Sequence, residues 1–161
     1  MSKVLENIKL QASKLNKCIV LPEGEDSRVV VAAAQAVKEN LARVVLLGNL
    51  DEIKKNNPDV DLSGVTVIDP VTNEKTTAYA EILFKAREGK INKKTGQPEY
   101  VDVDAAKASI LKDYTMYAAL MLKAGDVDGL VLRKSRSWWY ISSRCAGLGS
   151  NSVAASFPTG I

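Results

Sequence analysis

Lys17-Cys18-Ile19-Val20-Leu21-Pro22-Glu23-Gly24-Glu25-Asp26-Ser27-Arg28 sets an apolar run between a lysine and a proline, then a polar glycine turn, then a capping residue. Consecutive apolar residues between chain breakers read as a strand buried on both faces, as parallel strands are, because alternation disappears when neither face meets water. Asp26 or Ser27 can cap the next helix, where Val30, Ala33, Ala34 and Val37 share a face and Asn40 is an end signal. Val44 to Leu47 is a second apolar run, closed by Gly48 and Asn49. Strand, helix and strand within about thirty residues form a βαβ unit, which predicts an α/β fold with a mostly parallel sheet.

Before this unit, Val4, Leu5, Ile8, Ala12 and Leu15 recur at helical spacing and predict an amphipathic helix that caps the core. After it, Leu50 to Asn56 reads as a short helix stopped by Asn57 and Pro58, and Val65, Val67 and Ile68 as a third strand ended by Asp69 and Pro70. A longer helix is expected from Thr72 or Asn73 to about Gly89, then a solvated loop from Lys90 to Tyr100. Helices over Asp102 to Leu111 and Asp113 to Lys123 lead to a strand at Gly129, Leu130 and Val131. Met116, Tyr117, Leu120 and Met121 are read as core, and Asp126 and Asp128 as a solvated loop edge.

Composition changes after Val131. Residues 132–161 hold both tryptophans, seven serines and four basic residues but no Asp or Glu. Subtracting those four from the 22 Lys and Arg of the chain leaves 18 against 19 acids, so the first part is net −1 and the +3 of the whole comes from the last part. The expectation is therefore an α/β domain at 1–131 and an anomalous basic tail at 132–161. A frameshift or premature end, read-through into vector sequence, and a diverged terminus are the three explanations weighed for it. The tail is expected to be poorly ordered, and Trp138, Trp139 and Tyr140 to form an exposed apolar patch if it does not fold.

At 161 residues and 46% hydrophobic, one core is expected and hardly two. The basic excess lies in a Ser-rich terminal stretch rather than on a folded face, so no nucleic-acid partner is expected. Apolar runs stay well short of the ~18–20 residues that span a bilayer, and the Lys- and Glu-containing start is unlike a signal peptide, so a cytoplasmic protein with no membrane partner is expected. Cys18 reads as core, and the spacing to Cys145 suggests neither a disulfide nor a thiolate metal site. The absence of histidine excludes imidazole as base or metal ligand in this chain acting alone. GxGxxG and GxxxxGK[ST] are also absent, which removes the Rossmann and P-loop fingerprints.

In an open α/β sheet, ligands bind beyond the carboxyl ends of the strands. Those edges are expected at Pro22 to Ser27, at Gly48 and Asn49, at Asp69 to Asn73 and just after Val131. The loop Glu23 to Arg28 carries two readings, a charge positioned at the sheet edge or a capped helix whose Arg28 offsets neighbouring acids.

Several segments, in this order and spacing, resemble the phosphate acetyltransferase (phosphotransacetylase) family. They are Leu15-Asn16-Lys17 leading into Ile19 to Arg28, Val44 to Gly48, Val67 to Pro70, Tyr79 to Gly89, Lys112 to Met121, and above all Lys123-Ala124-Gly125-Asp126-Val127-Asp128-Gly129-Leu130-Val131. The resemblance implies a three-layer, mostly parallel sheet with helices on both faces, like the N-terminal domain of isocitrate and isopropylmalate dehydrogenases. It also implies an acyltransferase, homodimeric in the family, that moves acetyl between coenzyme A and phosphate across a two-domain cleft. Acetyl-CoA, phosphate and acetyl phosphate would be substrates, with no cofactor and no metal. Arg87 matches a family arginine implicated in binding coenzyme A, and guanidinium suits phosphate because its fork donates two parallel hydrogen bonds. Against that stands a surface arginine favoured by a helix C-terminus. Arg28 is the weaker candidate for the same anionic ligand.

The resemblance stops at Leu132, where the family continues with a Ser-Gly-Ala turn and this chain reads Leu132-Arg133-Lys134-Ser135. Arg133 and Arg144 therefore do not inherit the family's acyl-phosphate arginine. The family's catalytic serine and aspartate have no counterpart, so no catalytic residue is assigned and the chain is expected to be a truncated, inactive fragment. The alternatives are phosphate butyryltransferase and a non-catalytic module binding coenzyme A or phosphate through Arg87 and the Glu23–Arg28 loop.

Overall fold

The computed structural model describes residues 3–92 and 96–132, and the backbone of 154–156. Its elements are α1 (Lys3–Leu15), β1 (Cys18–Leu21), α2 (Ser27–Lys38), β2 (Arg43–Leu47), α3 (Leu50–Asn56), β3 (Thr66–Ile68), α4 (Thr76–Arg87), α5 (Val103–Lys112), α6 (Tyr114–Ala124), β4 (Gly129–Leu132) and β5 (Ala154–Ser156). The strands form one parallel sheet in the order β3-β2-β1-β4-β5. Of the segment expected to be a tail, the described part is thus Leu132, which closes β4, and the β5 backbone. Trp138, Trp139, Tyr140 and the expected disorder lie outside the described residues.

Side-chain alternation divides the sheet between two cores. Val20, Val45, Leu47, Leu130 and Leu132 point to one face, where α4, α5 and α6 cover them with Tyr79, Leu83, Ile110, Tyr117 and Leu120. Leu21, Val44, Leu46 and the flanking Ile19, Val67 and Val131 point to the other, under Val29, Val30, Ala33 and Ile53 of α2 and α3. The fold is therefore three-layer α/β/α, and the unbroken apolar runs of β1 and β2 follow from burial on both faces.

Local polar chemistry sets the element boundaries. Asp26, Asn49, Asp102 and Asp113 cap α2, α3, α5 and α6 by accepting bonds from first-turn amides. Gly125, at φ 82°, takes the left-handed conformation that ends α6. α4 begins at Thr76, later than the Thr72 or Asn73 expected, because Asp69 and Asn73 accept bonds from Val71 and Lys75 amides and hold the chain in turns. Buried Thr76 then anchors the helix by donating to the Pro70 carbonyl at 2.7 Å. Its hydroxyl also meets that of Tyr117, whose ring packs edge-on against Tyr79 with centroids 5.0 Å apart.

Two expectations are corrected. α1 buries none of its residues and does not cap the core; it is tied to the end of α2 by a Lys9–Glu39 ion pair and an Asn40–Ser13 hydrogen bond. Amphipathic spacing reports that a helix has an apolar face, not what lies against it. Asp126 and Asp128 are not merely solvated. Asp128 accepts from the Cys18 amide at 2.8 Å and from Lys17 at 2.9 Å, fastening the entry of β4 to that of β1. Asp126 accepts from Lys75 and from the Tyr79 hydroxyl, fastening the α6–β4 turn to the start of α4. Val127 between them is buried, so the pair straddles a core residue.

The β1–α2 loop passes so close to the end of β2 that a Cβ on Gly24 would lie 2.2 Å from the Leu47 carbonyl oxygen. Only glycine fits there without moving the backbone. Gly24→Ala is expected to cost roughly 2 kcal/mol by overpacking, seen as a Tm lower by roughly 4–8 °C. An unchanged Tm contradicts this close approach.

The Lys75 ammonium, and after it the Tyr79 hydroxyl, hold the Asp126 carboxyl below its ordinary value. A carboxyl lowered in the fold contributes stability that is present above its unfolded value of about 4 and lost as pH falls through the folded value. The stability gap between the wild type and Asp126→Asn should thus narrow in denaturant titrations as pH drops below about 4. A gap of constant size from neutral to strongly acid pH contradicts it.

Candidate functional site at the carboxyl edge

From the central β1 the chain builds outward through β2 to β3, then returns past β1 to place β4 on its other side. The reversal creates a topological switch point between β1 and β4, the place where an open α/β sheet leaves a crevice beyond its strand ends. A cavity of about 410 Å³ opens at the carboxyl edge, between the Pro22, Glu23, Glu25 and Asp26 loop and residues Leu111 to Thr115 of the α5–α6 junction. The wall that would follow β4 begins at residue 133, outside the described residues.

Among the described residues that line the cavity, carboxylates outnumber cations. Glu23, Glu25, Asp26 and Asp113 line the cavity, with Lys112 as its cation. Tyr114 at the mouth has its hydroxyl pushed up by burial, and further by the negative charges of Asp69, Glu25 and Glu52. The N-termini of α2 and α6 would suit a phosphate, yet each is capped by the chain's own carboxylate. Asp26 accepts from the Arg28 amide at 3.0 Å, and Asp113 from the Thr115 amide at 3.1 Å. An anionic ligand in this cavity would need cations besides those of the described lining.

The two arginines singled out by the sequence are differently placed. Arg28 is largely exposed and folds back on the cap of its own helix, its Nε and Nη2 donating to the two oxygens of Asp26 at 3.1 and 2.9 Å. Its fork thus holds an internal carboxylate in the geometry that would take a phosphate. Arg87 lies in the last turn of α4, its side chain only 9% exposed, and donates to Glu99 at 3.3 Å across the Lys90–Tyr100 segment. That segment, expected to be a solvated loop, includes an antiparallel bridge between Ile91 and Pro98 and a Glu99-to-Lys90 backbone bond. Asp26 and Glu99, to which the two arginines donate, belong to different loops. Arg133 and Arg144 lie outside the described residues.

Other groups are unsuited to covalent chemistry. Burial pushes the Cys18 thiol up, which disfavours the thiolate. The Tyr79 hydroxyl is also raised, by burial and then by the carboxylate of Asp126, so it stays protonated as the donor in that pair. The Tyr79–Asp126–Lys75 group was missed by sequence reading, since 47 and 51 residues separate the acid from its partners. No helix among the described residues is long and apolar enough to cross a membrane.

Comparison with known proteins places this geometry. The phosphate acetyltransferase of Acetivibrio thermocellus is 39% identical over 127 residues, covering 79% of this chain and 35% of the relative. That of Thermoanaerobacterium thermosaccharolyticum is 36% identical, covering 80% and 36%. A solved phosphotransacetylase of Staphylococcus aureus superposes with a TM-score of 0.71 at 25% identity, over 90% of this chain and 41% of that one. One of Streptococcus pyogenes, at 24% identity and a TM-score of 0.75, shares the fold. The chain thus spans a little over a third of the length of these curated relatives. The family model for phosphate acetyl/butaryl transferases matches residues 3–137, most of the chain and the whole of the sheet from β1 to β4, and the chain belongs to that family.

Proposed function

We propose that this chain supplies one wall of the cleft of a phosphate acetyltransferase, an acyltransferase moving acetyl between coenzyme A and phosphate, and that it does not catalyse this reaction alone. The observation that carries the reading is the cavity between the β1–α2 loop and the α5–α6 junction, at the sheet edge where such folds place ligands, whose described charged lining is four carboxylates and one lysine. Acetyl phosphate, phosphate and the coenzyme A phosphates are all anionic. Stabilising the charge that develops when a thiolate attacks an acyl carbonyl requires aligned donors and cations in a water-poor site. The described residues at this edge place carboxylates there instead. The opposite wall, with the base and most of the cationic groups, belongs on this reading to the part of the family fold beyond this chain.

Arg87 and Arg28 are the chain's own candidates for a coenzyme A or phosphate contact. Each would have to exchange a carboxylate, Glu99 or Asp26, for a phosphate. The exchange is easier for exposed Arg28, since the Arg87–Glu99 pair is more deeply set. The division at 131, a reading from composition, stays part of this proposal; Leu132 nevertheless closes β4, the 154–156 backbone pairs with it as β5, and the family match runs to residue 137. Phosphate butyryltransferase is the alternative reaction, because the matching family model spans both acyl chains. A coenzyme A-binding module is the non-catalytic one.

Purified chain supplied with acetyl-CoA and phosphate is expected to form acetyl phosphate at the uncatalysed rate, and calorimetric titration with coenzyme A to show no saturable heat. Micromolar binding without turnover favours the module. Sustained acetyl phosphate synthesis by the chain alone refutes the one-wall reading.

A further inference from the structure

We infer that the cavity between α3, the loop that follows it and β3 is a binding site for a small apolar α-amino acid, held by its charged end at Lys54 and Asn57. This cavity, of about 600 Å³, shares no lining residue with the one at the carboxyl edge, and the inference does not rest on the one-wall reading. Its size falls within the ~300–1,000 Å³ of small-molecule pockets. Leu50, Val60, Leu62, Val65 and Val67 give it an apolar lining. Its walls are held in place before any ligand arrives. The Val60 amide donates to the Asn57 carbonyl, the Val65 amide to that of Leu62 and the Ser63 amide to the Asp61 carboxylate.

Asn57 points to a ligand. It is only 7% exposed, and its Nδ2 donates to the Ile53 carbonyl at 2.9 Å. That carbonyl fixes the orientation of the amide, since only the nitrogen can donate to it. Oδ1 is left with no partner among the described residues. Every fully buried side-chain oxygen among those residues has a partner, so Oδ1 opens to the cavity that Asn57 lines. An acceptor so deeply set asks for a donor from whatever fills the space. Lys54, three residues earlier and thus on the same side of the last turn of α3, forms no ion pair with a described residue. A carboxylate for Lys54 and a donor beside it for Asn57 are the two polar groups that an α-amino acid carries on one carbon. Asp61 decides for ammonium over hydroxyl as that donor. Hydrogen bonds from Ser63 hold its carboxyl below the ordinary value, so it adds a negative charge to the same lining. Val60, Val65 and Val67 are then left for an apolar side chain.

Titration of the 161-residue chain with L-phenylalanine, followed by backbone amide chemical shifts, tests the site. Saturable shifts centred on residues 50–67 are expected, with a dissociation constant of about 1–10 mM. Hydrocinnamate, which lacks the ammonium, and phenethylamine, which lacks the carboxylate, should each bind several-fold more weakly. Lys54→Gln, at an exposed position, should weaken phenylalanine binding several-fold, whereas Lys55→Gln, outside the lining, should leave it unchanged. Binding of hydrocinnamate or phenethylamine as tight as that of phenylalanine overturns the ligand class. Binding indifferent to Lys54→Gln overturns the placement of the carboxylate. Absence of saturable shifts in residues 50–67 up to the solubility of the amino acid overturns the site, leaving a recess that holds water only.

Discussion

Burial of β1 and β2 on both faces is the constraint from which the rest follows. Val20 and Leu47 need cover on one side, Leu46 and Val44 on the other, and all four are almost fully removed from water. A parallel sheet meets that demand only with a helix layer on each face, because each crossover returns the chain to the same end of the sheet. Crossover helices and short polar loops then place every strand's carboxyl end along one edge. Gly24 is the tightest consequence: the first loop must clear the end of β2, and no side chain fits between it and the Leu47 carbonyl.

The same arrangement explains why the ligand edge is electrostatically one-sided. Helices that start at the carboxyl ends of strands need N-caps, and this chain uses aspartates for α2 and α6. Those caps stabilise the helices by occupying the amides that would otherwise attract a phosphate. With Glu23 and Glu25 beside them, the described lining of the cavity sets four carboxylates against one lysine. Arg28 is drawn into this local balance through Asp26.

What was legible in the sequence was what depends on neighbours in sequence. Cys18 to Leu21 and Val44 to Leu47 showed as strands because two-sided burial writes an unbroken apolar run. The buried stripe of α6, with Met116, Tyr117 and Leu120, was likewise readable as core. The order of these segments carried the family, which the matched relatives share. What was not legible depends on contacts distant in sequence. Nothing near Asp126 indicates Tyr79 or Lys75, and nothing in α1 says that its apolar face meets no core. The late start of α4 was obscured for a third reason, since Asp69 and Asn73 read equally well as caps and as turn formers.

The central claim is that two-sided burial of the sheet holds this chain together as a folded wall without the rest of the family fold. Native-state hydrogen exchange of the isolated chain tests it most directly. The amides of Val20, Val45 and Leu46 should exchange only through global unfolding, at the free energy given by denaturant melts and far more slowly than those of α1. Exchange of these strand amides as fast as that of α1, with no cooperative melt, would contradict the account.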